Sequence, residues 1–129
     1  MIHPFLKSIV LFLVSLSVVS FQYESNKPHM KFDIDSHDFG IVKNGSTSIY
    51  EFKFKNLGKE PLVLTSVYSS CGCIKLEWPK NPVKPSNDGT IKVTFNAVNQ
   101  IGSFSKSIHI SSNAKISTTV LTIKGEVVN

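Results

Sequence analysis

The chain has 129 residues, 41% of them hydrophobic and 18% charged. That suits a single domain with a real core and excludes an intrinsically disordered chain. Its net charge of +5 comes from fourteen lysines, with no arginine, against nine acids; lacking arginine's bidentate fork, the chain gives no reason to expect nucleic acid as a partner.

The first twenty residues read as an export signal. Residues 1–7 carry one lysine, residues 9–19 are apolar apart from Ser15 and Ser17, and Val18, Val19 and Ser20 are small enough for a signal peptidase. The apolar run is too short to span a bilayer comfortably. A signal peptide over 1–20 implies a periplasmic or secreted protein with no stable membrane insertion after cleavage; the alternative is an uncleaved N-terminal anchor that tethers it. No cysteine follows the run, so a lipoprotein signal is not indicated. Residues 21–29 are polar, contain Pro28 and read as a linker, with the folded domain over 30–129.

From residue 30 onward, apolar residues alternate with polar ones at a period of two, the signature of half-buried strands. Residues 30–35 place Met30, Phe32 and Ile34 on one face, and residues 37–42 form a short second piece. Asn44-Gly45 marks a turn. Residues 47–56 put Tyr50, Phe52 and Phe54 on one face and Glu51, Lys53 and Lys55 on the other. Phe52 and Phe54 should point into a core with Ile91, Val93, Ile108 and Ile110. After a turn over 56–61, residues 62–68 are apolar and β-branched and predict a more deeply buried strand. Residues 74–78 alternate again. The proline-rich stretch 79–88 is a loop, followed by strands over 89–96, 103–112 and 117–128. Lys106 falls at an inward parity, so it must snorkel, sit at the rim or mark a bulge. Other strand lysines (Lys53, Lys55, Lys75, Lys92, Lys124) sit mostly where solvated outer faces would be. Asn113 reads as a turn residue that tolerates a left-handed backbone. The pattern predicts an all-β, immunoglobulin-like sandwich of about seven antiparallel strands.

The only two cysteines, Cys71 and Cys73, stand one residue apart in Ser70-Cys71-Gly72-Cys73, and three readings are open. A disulfide is the first: extended residues two apart lie about 6.5–7 Å from each other, at the upper edge of disulfide geometry, so Gly72 would have to fold the segment into a turn. Such a bond closes almost no loop, stabilises little through chain entropy and is redox-active or redox-sensing. The second is a soft-metal site for copper or zinc on the two thiolates; two ligands do not complete a zinc site, and His3, His29, His37 and His109 are isolated in sequence. The third is structural, two small residues and a glycine at a crowded corner. Asp33, Asp35 and Asp38 read as solvated carboxylates, Trp78 as a core or rim aromatic. No nucleophile, phosphate-loop or dinucleotide motif occurs.

Phe39-Gly40; Phe52, Phe54, Asn56 and Gly58; Pro61-Leu62; Ser70-Cys71-Gly72-Cys73; Pro85; Gly89; Ser112-Asn113; and Gly125 together resemble domain-of-unknown-function family 1573, exported bacterial proteins common in the Bacteroidetes. Two departures are Ile74, where that family has threonine, and Ser86, where it has glycine after the proline. The resemblance implies an immunoglobulin-like fold similar to sperm-protein and pilus-chaperone domains, and no established activity. The expectation is a non-enzymatic interaction or structural module with no cofactor, whose partner, an unidentified protein or cell-envelope component, meets a sheet edge or face. The rival is a redox-active or copper-handling protein centred on Cys71 and Cys73.

Overall fold

The computed structural model describes Val19, Ser20 and residues 25–129; apart from its last two residues, the expected signal segment lies outside the described residues. Every element among them is a strand: β1 (Met30–Phe32), β2 (Ser36–Lys43), β3 (Thr47–Asn56), β4 (Leu64–Tyr68), β5 (Ile74–Glu77), β6 (Asp88–Asn96), β7 (Gly102–Ser112) and β8 (Thr118–Val128). They form two four-stranded sheets, sheet A in the order β1-β3-β6-β5 and sheet B in the order β2-β8-β7-β4. This is an all-β sandwich of immunoglobulin-like type, its eight strands falling on the eight alternating segments read from the sequence.

The core follows from the period-two pattern. β3 pairs with β6 from Thr47↔Asn96 to Lys55↔Asp88 without interruption, so Phe52 and Phe54 face inward beside Ile91 and Val93. All four are at most 1% exposed, as are Ile108 and Ile110 from sheet B, whereas Lys53 points to solvent. Phe95 stacks on Phe104 at 4.4 Å between ring centroids and links the two sheets.

Three expectations are corrected, and the place left open for Lys106 is settled. Not every pair is antiparallel: the chain leaves β1 through residues 33–35, where the Asp33 amide bonds to Lys53 in sheet A and the Asp35 carbonyl to Thr122 in sheet B. It thus crosses between sheets, and β2 arrives parallel to β8. The strand expected over 62–68 starts at Leu64, because Leu62 forms a separate bridge to Val83. It is an edge strand with Thr65 and Tyr68 exposed, its apolar residues serving one face only. Of the three places open to Lys106, the bulge is excluded and the rim fits: it pairs in register with Ile123, half-buried beyond the point where β4 ends at Tyr68↔His109. Asn113 is not left-handed; its side chain clamps the loop before β4, accepting from the Val63 amide at 2.8 Å and donating to the Pro61 carbonyl at 3.1 Å.

The stretch read as a linker is docked over its described end. The carbonyls of Asn26, Pro28 and His29 accept from Lys59, Lys115 and Leu57, and Pro28 is buried. Gly58 makes this possible, since a Cβ there would collide with the backbone of residues 27–29. The anchor beneath is Asn56, fully buried. Its Oδ1 accepts from the His29 and Gly58 amides at 3.2 and 3.0 Å, and its Nδ2 donates to the Glu60 and Val83 carbonyls at 2.8 and 3.0 Å. Its backbone binds Asn87 and Ser86. Ser86 stands at φ +67°, the left-handed region where the resembled family carries glycine.

Candidate functional site

Cys71 and Cys73 lie at the opposite pole, on the connection that carries the chain from β4 in sheet B to β5 in sheet A. A turn at Gly72 and Cys73 brings the two Cα atoms to 5.2 Å, and the sulfurs are joined in a disulfide. In that state neither is the thiolate that a soft metal requires. Gly72 makes the turn without a positive φ and faces open space, so its conformational freedom is not what bends the chain. The pair is asymmetric. Cys73 packs against the core, its carbonyl accepts from Asn96 at 2.9 Å, and its amide donates to Cys71 Sγ at 3.2 Å. Cys71 accepts from Ile74 through its carbonyl at 3.3 Å. Ser70 is exposed; the Cys71 amide is met by Ser69 Oγ, at 3.5 Å. Among the described residues no group of three His, Cys, Asp or Glu side chains is placed to hold a metal ion.

His37 and His109 are isolated in sequence but not in space. His37 stacks on Tyr50, with centroids 3.7 Å apart and planes 11° apart, and meets Phe39 edge-on. His109 stacks on Tyr68 at 5.2 Å across the β4–β7 pair. Trp78 is a half-buried rim aromatic covered by Lys80, whose Nζ lies 3.1 Å from the ring centroid. Asp33, Asp35 and Asp38 are exposed, and Asp38 Oδ1 accepts from the Gly40 amide at 2.8 Å.

The two outer faces differ in chemistry. On sheet A, Glu51 faces Lys92, Lys55 faces Asp88 and Glu77 faces Lys92; Lys92 Nζ lies 3.5 Å from Glu77. On sheet B the registers align the outward residues in rows across the strands: Ser66, Ser111 and Thr118; then Tyr68, His109 and Val120; then Ser107, Thr122 and Ser36. Formal charge enters only toward the far end, with Lys124 beside Asp38 and Glu126 beside Ile41. Tyr68 is 55% and Val120 44% exposed. Sequence inspection missed this row because its members come from three strands; only the register unites them.

All four sheet edges are blunted. β1 and β5 have three and four residues, and β2 and β4 each carry a register shift, in β2 around Gly40 at φ +68°. Short and bulged edges resist pairing with another strand. Among the described residues no helix is long and apolar enough to cross a membrane.

A family model described as "Protein of unknown function (DUF1573)" matches residues 30–127. No curated protein matches the chain. Among solved structures, a Porphyromonas gingivalis protein of unknown function is similar at TM-score 0.70 and 18% identity, over 83% of this chain and 51% of that one; this chain thus spans about half of that protein's length. The human CEP192 PapD-like domain 7 is similar at TM-score 0.65 and 12% identity, over 87% and 94% of the two chains. The sialic acid binding region of a Streptococcus sanguinis adhesin is similar at TM-score 0.55 and 11% identity, over 82% and 30%. At these identities the likeness is one of fold.

Proposed function

The chain belongs to the DUF1573 family of proteins of unknown function, and from that premise we propose that it is an exported, non-enzymatic interaction module that meets its partner through the outer face of sheet B. One observation carries the reading: the Tyr68–His109–Val120 row, with Tyr68 and Val120 exposed and His109 half-buried between them, lies between two rows of small hydroxyls, with no acidic or lysine side chain in any of the three. A face of this kind can be covered without burying an unpaired charge, which would cost several kcal/mol. Tyrosine supplies a large contact at little entropic cost. The partner that fits is a flat, uncharged surface on a protein or cell-envelope component. The blunted edges count against strand addition, leaving the face as the mode of contact. The lysine-then-apolar start supports export to the periplasm or beyond.

The test is sedimentation of the mature protein with cell envelopes of the producing organism. Tyr68→Ala and Ser107→Lys should lower the bound fraction at least tenfold with unchanged melting temperature, while Lys53→Glu and Lys75→Glu on sheet A should leave it within twofold. The reverse pattern would assign binding to the lysine face. A hydrolase or transferase activity that one point mutation removes would overturn the non-enzymatic reading. N-terminal sequencing of exported material should begin near Phe21; an intact Met1 in a cytoplasmic fraction refutes export.

A further inference from the structure

We propose that Cys71 and Cys73 form a thiol–disulfide exchange site in which Cys71 makes the bond to the partner and Cys73 resolves it. This proposal does not rest on the reading of sheet B as a binding face, although the connection that carries the cysteines begins at Tyr68 of that face. Three observations support this. First, the bond closes a loop too short to stabilise the fold through chain entropy, and the connection is held without it: Asn96 and Ile74 donate to the carbonyls of Cys73 and Cys71, and β5 pairs with β6 along all of its four residues. The pair can therefore open and close on a fixed scaffold. Second, both cysteines are only half-buried, and Gly72 between them faces open space, so an incoming thiolate can reach them. Third, Cys73 packs against the core while its amide N–H points at Cys71 Sγ from 3.2 Å. A hydrogen bond to a charged sulfur favours the thiolate, so negative charge is better held on Cys71 than on Cys73.

The chemistry balances as follows. In the reduced pair the Cys71 thiolate, under the Cys73 amide, attacks one sulfur of a partner disulfide; that S–S bond breaks, and its electron pair leaves on the partner's other sulfur, which takes a proton. The partner is now joined to Cys71 in a mixed disulfide. The Cys73 thiol gives up its proton and attacks Cys71 Sγ; the Cys71–partner bond breaks, and its electron pair leaves on the partner's sulfur, which takes that proton. The partner is reduced by two electrons and the pair oxidised to the Cys71–Cys73 bond. Run backward, the same steps let the pair take two electrons from a partner's thiols. The co-reactant class is a thiol or disulfide, either a small thiol or a protein.

Two probes separate these sources: glutathione, and reduced unfolded ribonuclease A. The full mature protein should exchange with at least one of them in the native state, with its melting temperature shifted by no more than a few degrees on reduction. Cys73→Ser, which keeps Cys71, should form a mixed disulfide with oxidised glutathione at least tenfold faster than Cys71→Ser, which keeps Cys73. Should a variant not fold, limiting iodoacetamide on the reduced wild-type protein, read by peptide mass, should label Cys71 at least tenfold ahead of Cys73. Exchange with glutathione alone makes the partner a small thiol; exchange with ribonuclease makes it a protein. Faster reaction or labelling at Cys73, a disulfide that opens only under denaturant, or no exchange with either probe would overturn the proposal.

Discussion

The two poles of the sandwich are closed by opposite means. At one, Asn56 sits fully buried with every side-chain donor and acceptor used, and draws together the segment before β1, the loop after β3 and the loop before β6. At the other, a covalent bond lies in a half-open turn whose surroundings are already fixed by backbone hydrogen bonds. The non-covalent pole should matter more to stability, because hydrogen bonds between distant segments hold the fold, whereas a bond between near neighbours restrains almost nothing in the unfolded chain. A buried polar hub of this kind reads as structure; a half-buried disulfide between near neighbours reads, under the exchange proposal, as chemistry.

The largest effect that can break this comparison is at Asn56. Asn56→Ala strips partners from two amides and two carbonyls, each unmet buried group costing about 1–3 kcal/mol where water cannot reach it. Because three of the four bonds are only part-buried, the expected loss is about 3 kcal/mol, read as a lower urea midpoint at unchanged m. Asn56→Asp should not rescue it, since a carboxylate has no donor for the Glu60 and Val83 carbonyls. A loss below about 1 kcal/mol would show that the pole is held by other contacts.

The corresponding change at the other pole, Cys71→Ser with Cys73→Ser, should lower stability by less than about 2 kcal/mol and leave the fold intact by near-UV circular dichroism. If the double variant fails to fold, the pair is a structural staple and the contrast between the poles disappears.

Ser86 sharpens the comparison from within the tighter pole. Its left-handed φ of +67° costs an L-residue roughly 1–2 kcal/mol, offset in part by the greater unfolded-state entropy of glycine. Ser86→Gly should therefore raise stability by about 0.7 kcal/mol and the melting temperature by a few degrees. A loss would mean that the Ser86 side chain contributes more than its backbone strain costs.

What the sequence reveals divides along the same line. β3 was legible from end to end because period-two alternation is local and Phe52, Phe54 and Lys53 report their own faces. Asn56 was not: a turn asparagine looks the same in sequence whether exposed or buried, and its partners His29 and Val83 lie 27 residues away on either side. Asn113 was placed at a turn but given the wrong reason, since its clamp on Val63 and Pro61 is likewise long-range. The Tyr68–His109–Val120 row needs the registers of β4, β7 and β8 before it exists at all. The serine at position 86 was visible as a departure from the resembled family, but only the backbone dihedral says what it costs.

The smallest effect tests the sequence reading of the cysteine turn itself. Glycine between the two cysteines suggests a conformation closed to other residues, and if that were so, any side chain there would strain the turn and weaken the bond. The structure instead gives Gly72 no positive φ and leaves the space around its Cβ position empty. Alanine at a compatible, open position lowers the entropy of the unfolded chain. Gly72→Ala should accordingly stabilise the protein by about 0.4 kcal/mol and still form the Cys71–Cys73 bond, measured by mass after alkylation without reduction. Loss of the bond in this variant would return the turn to glycine's conformational freedom. Retention of the bond with slower exchange against glutathione would locate the value of glycine in the open approach to the sulfurs, as the exchange site requires.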